Sequence, residues 1–307
     1  MVQFDAPLNC SRALLKYFLD NHQNYIFRKR ITMIITEIAD IELPELDYYT
    51  RITERQLLTI NEPAPGIFIA ESFKVLQRAL TAGYEPISAI VEKSQLETFT
   101  SDSFFSNVIP ADLPVFTATE DVLDSITGYH LTGGCLCAMK RKEPTSLIDV
   151  LRNSRRIALL EGVMNPTNVG AIFRSAAALS MDAVLLTRSC SDPLYRRTIR
   201  VSMGTVFQIP WAFVDSKNLL WPSGGIDLLH EYGFKLASMA LRNESISISD
   251  LRLKGEEKLV VLMGSEGEGL LPETIEKSDY VVKIPMSHDV DSLNVAAASA
   301  LAFWELH

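Results

Sequence analysis

The chain has 307 residues, enough for two domains, and its 47% hydrophobic and 22% charged residues are typical of a globular protein. No apolar run approaches the roughly 20 residues that cross a bilayer. The first residues also lack the basic and apolar segments of a secretory signal. A cytoplasmic location without membrane contact is therefore expected. The net charge of −9 weighs mildly against nucleic-acid binding, although local basic clusters can still contact phosphates.

The four cysteines include a pair, Cys135 and Cys137, whose alternating spacing puts both side chains on one face of a strand. Zinc sites generally need two such pairs, and neither a second pair nor a nearby histidine supports one here. We therefore expect no metal site and assign this pair to the buried interior. Disulfides are not expected in the cytoplasm.

Residues 1–45 are predicted to form a helical N-terminal extension, because Ser11 can cap an amphipathic helix and Pro44 ends the pattern. Residues 46–142 alternate short apolar strands with helices, which indicates a small α/β domain. The predicted strands of this domain are 66–70, 87–91, 115–117 and 134–139, and its predicted helices are 72–80 and 119–127. A polar, proline-containing linker follows.

Residues 147–307 contain a second alternating series, which predicts a second α/β domain with a parallel sheet. Residues 258–263 are apolar on both faces, as expected of a central parallel strand covered on both sides. The predicted strands are 156–162, 183–187, 207–211, 235–239, 258–262 and 280–284, and the predicted helices are 171–179 and 294–306. Three polar or glycine-rich segments lie where strands should end, which is where open α/β sheets bind ligands.

The first of these segments follows strand 156–162. Pro166 and Gly170 shape a turn into a helix, whose start can be capped by an asparagine or threonine. Arg174 lies six residues after Asn168, more than one turn into the helix. On its own, this segment favours a capped helix with one exposed arginine.

The second segment runs from Gly264 to Gly269, directly after the apolar strand. Its three glycines let the backbone bend sharply and approach a ligand closely. It matches neither a Walker A loop nor a G-x-G-x-x-G fingerprint. Glu266 and Glu268 would repel a phosphate, so a cationic or hydroxyl-bearing ligand fits better. A tight acidic loop without a ligand is the alternative.

The third segment runs from Ile284 through a loop to a helix start near Asn294. Backbone groups released from sheet and helix hydrogen bonding need partners, and a nucleobase edge can supply them. His288 lies in this loop, where a lone exposed histidine is more often incidental than a ligand contact.

In this order and spacing, the three segments resemble the three motifs of the SpoU (TrmH-like) branch of the SPOUT RNA methyltransferases. The matching patterns are Asn-x-Gly-x-x-x-Arg, Gly-Ser-Glu-Gly-x-Gly and Ile-Pro-Met…Ser-Leu-Asn. Between the first two, Arg200-Val-Ser-Met-Gly204 resembles the family's Arg-x-Ser-x-Gly segment. The match covers 155–306, and 66–142 resemble more loosely the family's substrate-binding domain.

The resemblance implies an α/β protein whose C-terminal parallel-sheet domain is tied in a deep trefoil knot, with S-adenosylmethionine held in the knot loops. It also implies a homodimer whose active sites use residues of both subunits. The implied reaction is methyl transfer to a ribose 2′-hydroxyl of structured RNA. Ribosomal RNA is favoured over transfer RNA, because an acidic chain suits a large partner contacted through one local basic surface.

The resemblance assigns roles residue by residue. The implied catalytic residues are Asn168, Arg174, Glu266, Ser292 and Asn294. The implied cofactor-binding residues are Met263, Gly264, Gly267, Gly269, Ile284, Met286 and Leu293. From the basic clusters near the motifs and the linker, the predicted RNA-binding residues are Lys140, Arg141, Arg196, Arg197 and Arg200.

The resemblance implies that Arg174 is the base that takes the hydroxyl proton, but an arginine guanidinium is almost never neutral in a protein. A sulfonium methyl donor is already activated, so the protein must mainly align the reacting atoms. We therefore expect Arg174 to hold an RNA phosphate bidentately beside the hydroxyl. Asn168 and Glu266 would position Arg174 or the ribose, and Ser292 and Asn294 would orient the nucleotide.

Other functions fit the same motifs less well. A SPOUT relative that methylates a base nitrogen is one alternative. An RNA-binding protein of the same fold without transfer activity is another, and the complete set of polar motif residues argues against it. A dinucleotide-binding oxidoreductase is disfavoured because the glycine fingerprint is absent.

Overall fold

The computed structural model of the chain describes residues 33–288 and 290–307. Within them, the strands form a five-stranded sheet in the first half and a seven-stranded sheet in the second. In chain order the strands are β1 (Ile34–Glu37), β2 (Ile67–Glu71), β3 (Pro86–Glu92), β4 (Pro114–Ala118), β5 (Cys135–Lys140), β6 (Arg156–Leu160), β7 (Ala183–Leu186), β8 (Trp211–Phe213), β9 (Lys235–Met239), β10 (Ile246–Ser247), β11 (Leu259–Met263) and β12 (Tyr280–Lys283).

The helices between these strands are short or of moderate length. In chain order they are α1 (Asp47–Thr50), α2 (Glu54–Thr59), α3 (Phe73–Thr81), α4 (Leu96–Ser101), α5 (Ser103–Val108), α6 (Glu120–Thr127), α7 (Leu147–Asn153), α8 (Pro166–Ala178), α9 (Arg196–Val201), α10 (Ser223–Glu231), α11 (Leu251–Gly255), α12 (Pro272–Glu276) and α13 (Val295–Leu306). In the described part of the chain, none of them is long and apolar enough to cross a membrane. The two longest, α8 and α13, pack against each other.

The first sheet has the strand order β1-β4-β3-β5-β2 and is mixed. β1, β4 and β3 run parallel, whereas β5 is antiparallel to both of its neighbours. Helices α3, α4 and α5 cover one face of the sheet, and α1, α2 and α6 cover the other. The strands and helices predicted between residues 66 and 139 are confirmed to within one residue at each end.

The predicted helical extension over 1–45 is wrong for its described part. Ile34–Glu37 is strand β1, which pairs in parallel with β4, because β-branched residues favour extended backbone beside a neighbouring strand. The helix predicted to be capped by Ser11 lies outside the described residues.

The second sheet has the strand order β10-β12-β9-β11-β6-β7-β8, and every pair of neighbours is parallel. The predicted parallel sheet is therefore confirmed. All residues of β11 are buried, because helices cover both faces. Helices α8 and α13 lie on one face, and α7 and α10 lie on the other.

Two predictions in this half are wrong. The helix predicted from residue 171 begins at Pro166, because the Asn165 side chain accepts a hydrogen bond from Thr167 N at 2.9 Å and proline suits the first helical position. Asn168 is therefore inside the helix and buried. The strand predicted at 207–211 begins only at Trp211, because Pro210 has no N–H for the ladder.

Helix α9 crosses α8 closely at Gly170. A Cβ atom at this position would lie 2.6 Å from Thr198 O and 3.0 Å from Val201 Cβ, so only glycine permits this approach. The contact fixes α9, and the segment around it, against the helix that carries Asn168 and Arg174.

We expect Gly170→Ala to lower the free energy of unfolding by about 2 kcal/mol, because the overpacking exceeds the gain in helix propensity. Equilibrium denaturation with urea measures the change. Gly255→Ala is the matched control, since a Cβ there would meet no atom within 4 Å. Equal midpoints for the two variants would contradict the close approach.

Candidate active site at the carboxyl ends of the parallel strands

A cleft of about 560 Å³ opens at the carboxyl ends of the neighbouring strands β9, β11 and β12. Its walls come from the segments that follow these strands and from the start of α13. Because parallel strands end at the same edge of a sheet, segments distant in sequence meet there. The cleft lies where the sequence predicts a ligand site.

The loop from Gly264 to Leu270 turns back on itself along one wall of the cleft. Ser265 N donates to Gly269 O, and Gly269 N donates to Ser265 O, both at 3.1 Å. A Cβ atom on Gly264 would lie 2.2 Å from the carbonyl carbon of Gly269, so this closed shape requires glycine at position 264. The fold of the loop leaves Glu266 and Glu268 exposed at the cleft.

Asn168 in the first turn of α8 joins the other two polar segments. Its Nδ2 donates to Glu266 Oε1, and its Oδ1 accepts a hydrogen bond from Asn294 Nδ2 at 3.2 Å. Asn294 in turn caps α13, because its Oδ1 accepts from Ala296 N at 3.0 Å. We call this series, Glu266–Asn168–Asn294, the amide chain. It connects all three segments that the sequence singled out.

The structure brings most of the predicted site residues together at this cleft. The predicted cofactor-binding residues all line it, namely Met263, Gly264, Gly267, Gly269, Ile284, Met286 and Leu293. The predicted catalytic residues Glu266, Ser292 and Asn294 line it as well. Asn168 and Arg174 are not among its lining residues.

Arg174 is exposed on α8, and in the described part of the chain no hydrogen bond or ion pair engages its side chain. Thr167 lies on the same face of the helix, two turns earlier, and its Oγ1 accepts from Arg197 Nε at 2.8 Å. Arg174 and the guanidinium of Arg197 therefore lie on the same side of α8, because Arg174 follows the Thr167 that Arg197 contacts by seven residues, about 10 Å of helix axis.

Sequence reasoning missed Arg242, which is exposed and lines the cleft. Arg242 lies in the segment directly after β9, and its backbone N donates to Ser245 Oγ at 2.8 Å. Its position just beyond the predicted strand 235–239 is the same signal that identified the other segments. His288, in contrast, is not among the lining residues of the cleft.

Comparison with known proteins identifies the family. The model of the SpoU rRNA methylase family matches residues 155–304. An uncharacterised tRNA/rRNA methyltransferase of Mycobacterium tuberculosis is 34% identical over 272 residues, which cover 88% of this chain and 91% of that protein. The chain belongs to the SpoU rRNA methylase family.

Two further comparisons extend this result. A 23S rRNA (guanosine(2553)-2′-O)-methyltransferase of Bacillus subtilis is 29% identical over 204 residues, which cover 64% of this chain and 76% of that protein. The crystal structure of an AdoMet-bound rRNA methyltransferase from Sinorhizobium meliloti superposes with a TM-score of 0.70 at 22% identity, covering 89% of this chain and 97% of that one. At 22% identity, the similarity to the Sinorhizobium meliloti structure shows a shared fold.

In this SpoU-family chain, carboxylates hold most of the arginines that were predicted to bind RNA. Arg196 Nε lies 3.0 Å from Glu71 Oε2, and Arg200 Nη1 lies 3.6 Å from Glu71 Oε1. Arg141 Nη1 lies 2.9 Å from Asp192 Oδ1. Glu71 ends β2 of the first sheet, whereas α9 carries both of its arginine partners. These ion pairs therefore join the two halves of the chain, and the two arginines offset the cost of burying the Glu71 carboxylate.

Lys140 and Arg197, the other two residues predicted to bind RNA, are not part of this junction. Lys140 forms an exposed ion pair with Glu85 at 2.9 Å. Arg197 contacts only the hydroxyl of Thr167, so within the described residues it alone of the five lacks a carboxylate partner. Four of the five side chains are thus ion-paired with carboxylates, and their binding to RNA stays a prediction.

The junction between the halves also perturbs neighbouring groups. Tyr129 OH donates to Glu71 Oε2 at 2.6 Å, and the Arg200 guanidinium lies 4.5 Å from the centre of its ring. Burial and this hydrogen bond raise the pKa of Tyr129. Burial likewise raises the pKa of Glu54, although its carboxyl accepts a hydrogen bond from Arg196 N. The junction therefore consists of partly dehydrated polar groups.

We expect Glu71→Gln to destabilise the protein by about 3 kcal/mol, because the side chain of Glu71 is only 7% exposed and its loss of charge leaves Arg196 without a counter-ion. Thermal unfolding followed by circular dichroism measures the effect. Glu85→Gln is the control and should leave the midpoint unchanged, since its pair with Lys140 is exposed. The same midpoint for both variants would mean that the ion pairs of Glu71 do not stabilise the protein.

Proposed function

We propose that this chain transfers the methyl group of S-adenosylmethionine to a ribose 2′-hydroxyl of structured RNA, with ribosomal RNA as the favoured substrate. The observation that carries the proposal is the amide chain, which gathers the polar residues of three separate segments at one cleft. Family membership supports RNA methylation. The Bacillus subtilis relative, whose name specifies a 2′-O position in 23S rRNA, supports both the hydroxyl and the type of RNA.

The cleft suits S-adenosylmethionine in size and in the character of its walls. Its volume of about 560 Å³ lies within the range of roughly 300–1,000 Å³ that is usual for small-molecule sites. Glu266 and Glu268 suit a ligand that carries ammonium and sulfonium charges. The apolar walls for the adenosyl group and the accessible glycine backbone are proposed to come from Met263, Gly264, Gly267, Gly269, Ile284, Met286 and Leu293.

When bound, S-adenosylmethionine supplies an activated methyl group, so the residues of the chain need mainly to hold the attacking hydroxyl in line with it. The amide of Asn168 is bonded at both ends, which suits it to fixing Glu266 rather than contacting RNA. We assign Glu266 to a hydrogen bond from the ribose through its other carboxylate oxygen. Ser292 and Asn294, which also line the cleft, are assigned to orienting the nucleotide.

Arg174 is assigned to an RNA phosphate beside the reacting ribose. A protonated guanidinium offers two parallel hydrogen bonds to a phosphate but cannot accept the hydroxyl proton. The guanidinium of Arg197, which α9 brings to Thr167 on the same side of α8, suits a second phosphate of the same strand. The proton then leaves to another acceptor, such as solvent, late in the transfer.

The proposal includes a homodimer in which the partner copy completes each site. Arg174 is not among the residues that line the cleft of its own chain, which suits a site that receives the partner subunit's Arg174. Leu301 and Trp304 on α13 are 48% and 64% exposed and offer apolar surface for the contact.

The domain roles follow the same proposal. The first sheet and its helices form the RNA substrate-binding domain. This domain comprises the predicted residues 46–142 together with strand β1. Residues 147–307 form the methyltransferase domain, and the loops after β11 and β12 are the loops of a deep trefoil knot. Their common position at the cleft supports this assignment.

Mapping of ribose methylation in ribosomal and transfer RNA, from cells with and without the gene, tests the proposed reaction. We expect one ribose 2′-O-methyl group to be missing without the gene, and to return when the purified protein and S-adenosylmethionine are added. Mass spectrometry after nuclease digestion identifies it, because a 2′-O-methyl group blocks cleavage of the adjacent phosphodiester. A missing base methylation would instead support the nitrogen-methylating alternative.

We expect Arg174→Lys to lower kcat/KM for RNA about a hundredfold, because an ammonium group cannot form the two parallel bonds that set the geometry. Arg174→Ala should abolish transfer, while calorimetric titration with S-adenosylmethionine should give an unchanged affinity for both variants. Arg152→Lys, an exposed arginine on α7, is the matched control. Near-normal turnover of Arg174→Lys would rule out the phosphate contact.

A further inference from the structure

Glu161 is a buried carboxylate at the end of β6 that the proposed chemistry does not use. It is 5% exposed, yet three hydrogen-bond donors converge on it. Trp221 Nε1 and Thr274 Oγ1 both donate to Oε2 at 2.5 Å, and Leu271 N donates to Oε1 at 2.5 Å. An ionised carboxylate only accepts hydrogen bonds, so it satisfies all three donors.

The backbone of Glu161 forms a fourth hydrogen bond, at the other end of the loop 264–270 that precedes Leu271. Glu161 N donates to Met263 O at 2.9 Å. Met263 is the residue before the loop 264–270, and Leu271 is the residue after it. One residue therefore holds both ends of the loop that lines the cleft and carries Glu266.

The carboxylate also connects this loop to two other elements. Trp221 precedes α10, and Thr274 lies within α12, which follows the loop directly. A buried carboxylate loses its hydration and is tolerated only when hydrogen bonds replace the water. Replacement by a neutral amide cannot satisfy the same donors, because an amide offers one acceptor oxygen and its NH₂ group would face an N–H or O–H donor.

We infer that Glu161 is a positioning residue for the methyl-donor site: it fixes the loop 264–270 and, through Glu266, the amide chain. This inference rests on the proposed function for its consequence, namely donor binding, but the loop contacts stand without it. Glu161 touches neither the cleft nor the reacting atoms, since it is not among the residues that line the cleft.

The test uses Glu161→Gln in the full-length protein. We expect the affinity for S-adenosylmethionine to fall about tenfold and the KM for the donor to rise by a similar factor. The kcat should fall as well, because the loop carries Glu266, the residue assigned to the ribose. The KM for RNA should change less than about threefold, because Arg174 lies on α8, outside the loop. A residue that served only general stability would lower the active fraction, and hence kcat, without changing the KM for the donor.

Amide hydrogen exchange supplies a measurement that needs no donor. In Glu161→Gln, the amides of 264–271 should exchange faster, while those of β6 and β11 remain protected. Trp221→Phe is the matched control: it removes one donor to the same carboxylate but leaves both loop anchors, so donor affinity should change by less than about twofold.

A second variant guards against a folding defect in Glu161→Gln. Leu271→Pro removes the N–H that donates to Glu161 together with a side chain that is 46% exposed, and the φ of −58° at this residue suits proline. It should reproduce the loss of donor affinity and the faster loop exchange. Failure of both variants to fold while Trp221→Phe folds would overturn a positioning role, because such a role does not control folding.

The outcomes separate this inference from the proposed function. Unchanged donor affinity and unchanged loop exchange in folded Glu161→Gln would overturn the positioning role and leave the methyltransferase proposal intact. In another outcome, the loop exchanges faster in Glu161→Gln but the wild-type protein does not bind S-adenosylmethionine. That result would support the positioning of the loop and refute the proposed function.

Discussion

The side-chain amide of Asn168 is the interaction on which the candidate site depends. It donates to Glu266 and accepts from Asn294, so a single planar group sets the distance between the glycine-rich loop and the start of the last helix. Both partners follow strands of the same sheet, but neither is near Asn168 in sequence. Because Asn168 is buried and both ends of its amide are bonded, the geometry has little freedom.

The amide chain is effective because the surrounding elements are themselves fixed. Gly170 allows α9 to press against α8, and Glu161 ties the loop to the end of β6. Buried polar groups with complete hydrogen bonding specify one arrangement, since each alternative leaves a donor or acceptor unpaired. The site can therefore present Glu266 and a set of glycine backbone groups in one geometry without a bound ligand.

The acidic balance of the chain has a structural consequence. Glu71 pairs with Arg196 and Arg200, and Asp192 pairs with Arg141, at the junction between the two halves. Basic clusters of the sequence therefore take part in this junction, where carboxylates pair with them. Arg174 and Arg197 lack carboxylate partners among the described residues. Arg174 is exposed on α8, and Arg197 on α9 contacts Thr167 on the same side of α8.

The sequence by itself determined most of the strands of both sheets and the place of the cleft. Continuous apolar runs predicted buried strands such as β11, and glycine or proline at their ends predicted the loops that line the pocket, because these signals are local. Tertiary structure alone decided the strand at Ile34–Glu37, the ion-pair partners of Arg196 and Arg200, and the hydrogen-bond partners of Glu161. Each depends on a partner far away in the chain: β4 for the strand, Glu71 for the arginines, and Leu271 for the carboxylate. Spacing and periodicity report only on near neighbours, so the pairing of distant polar groups became visible only when the sheets brought them together.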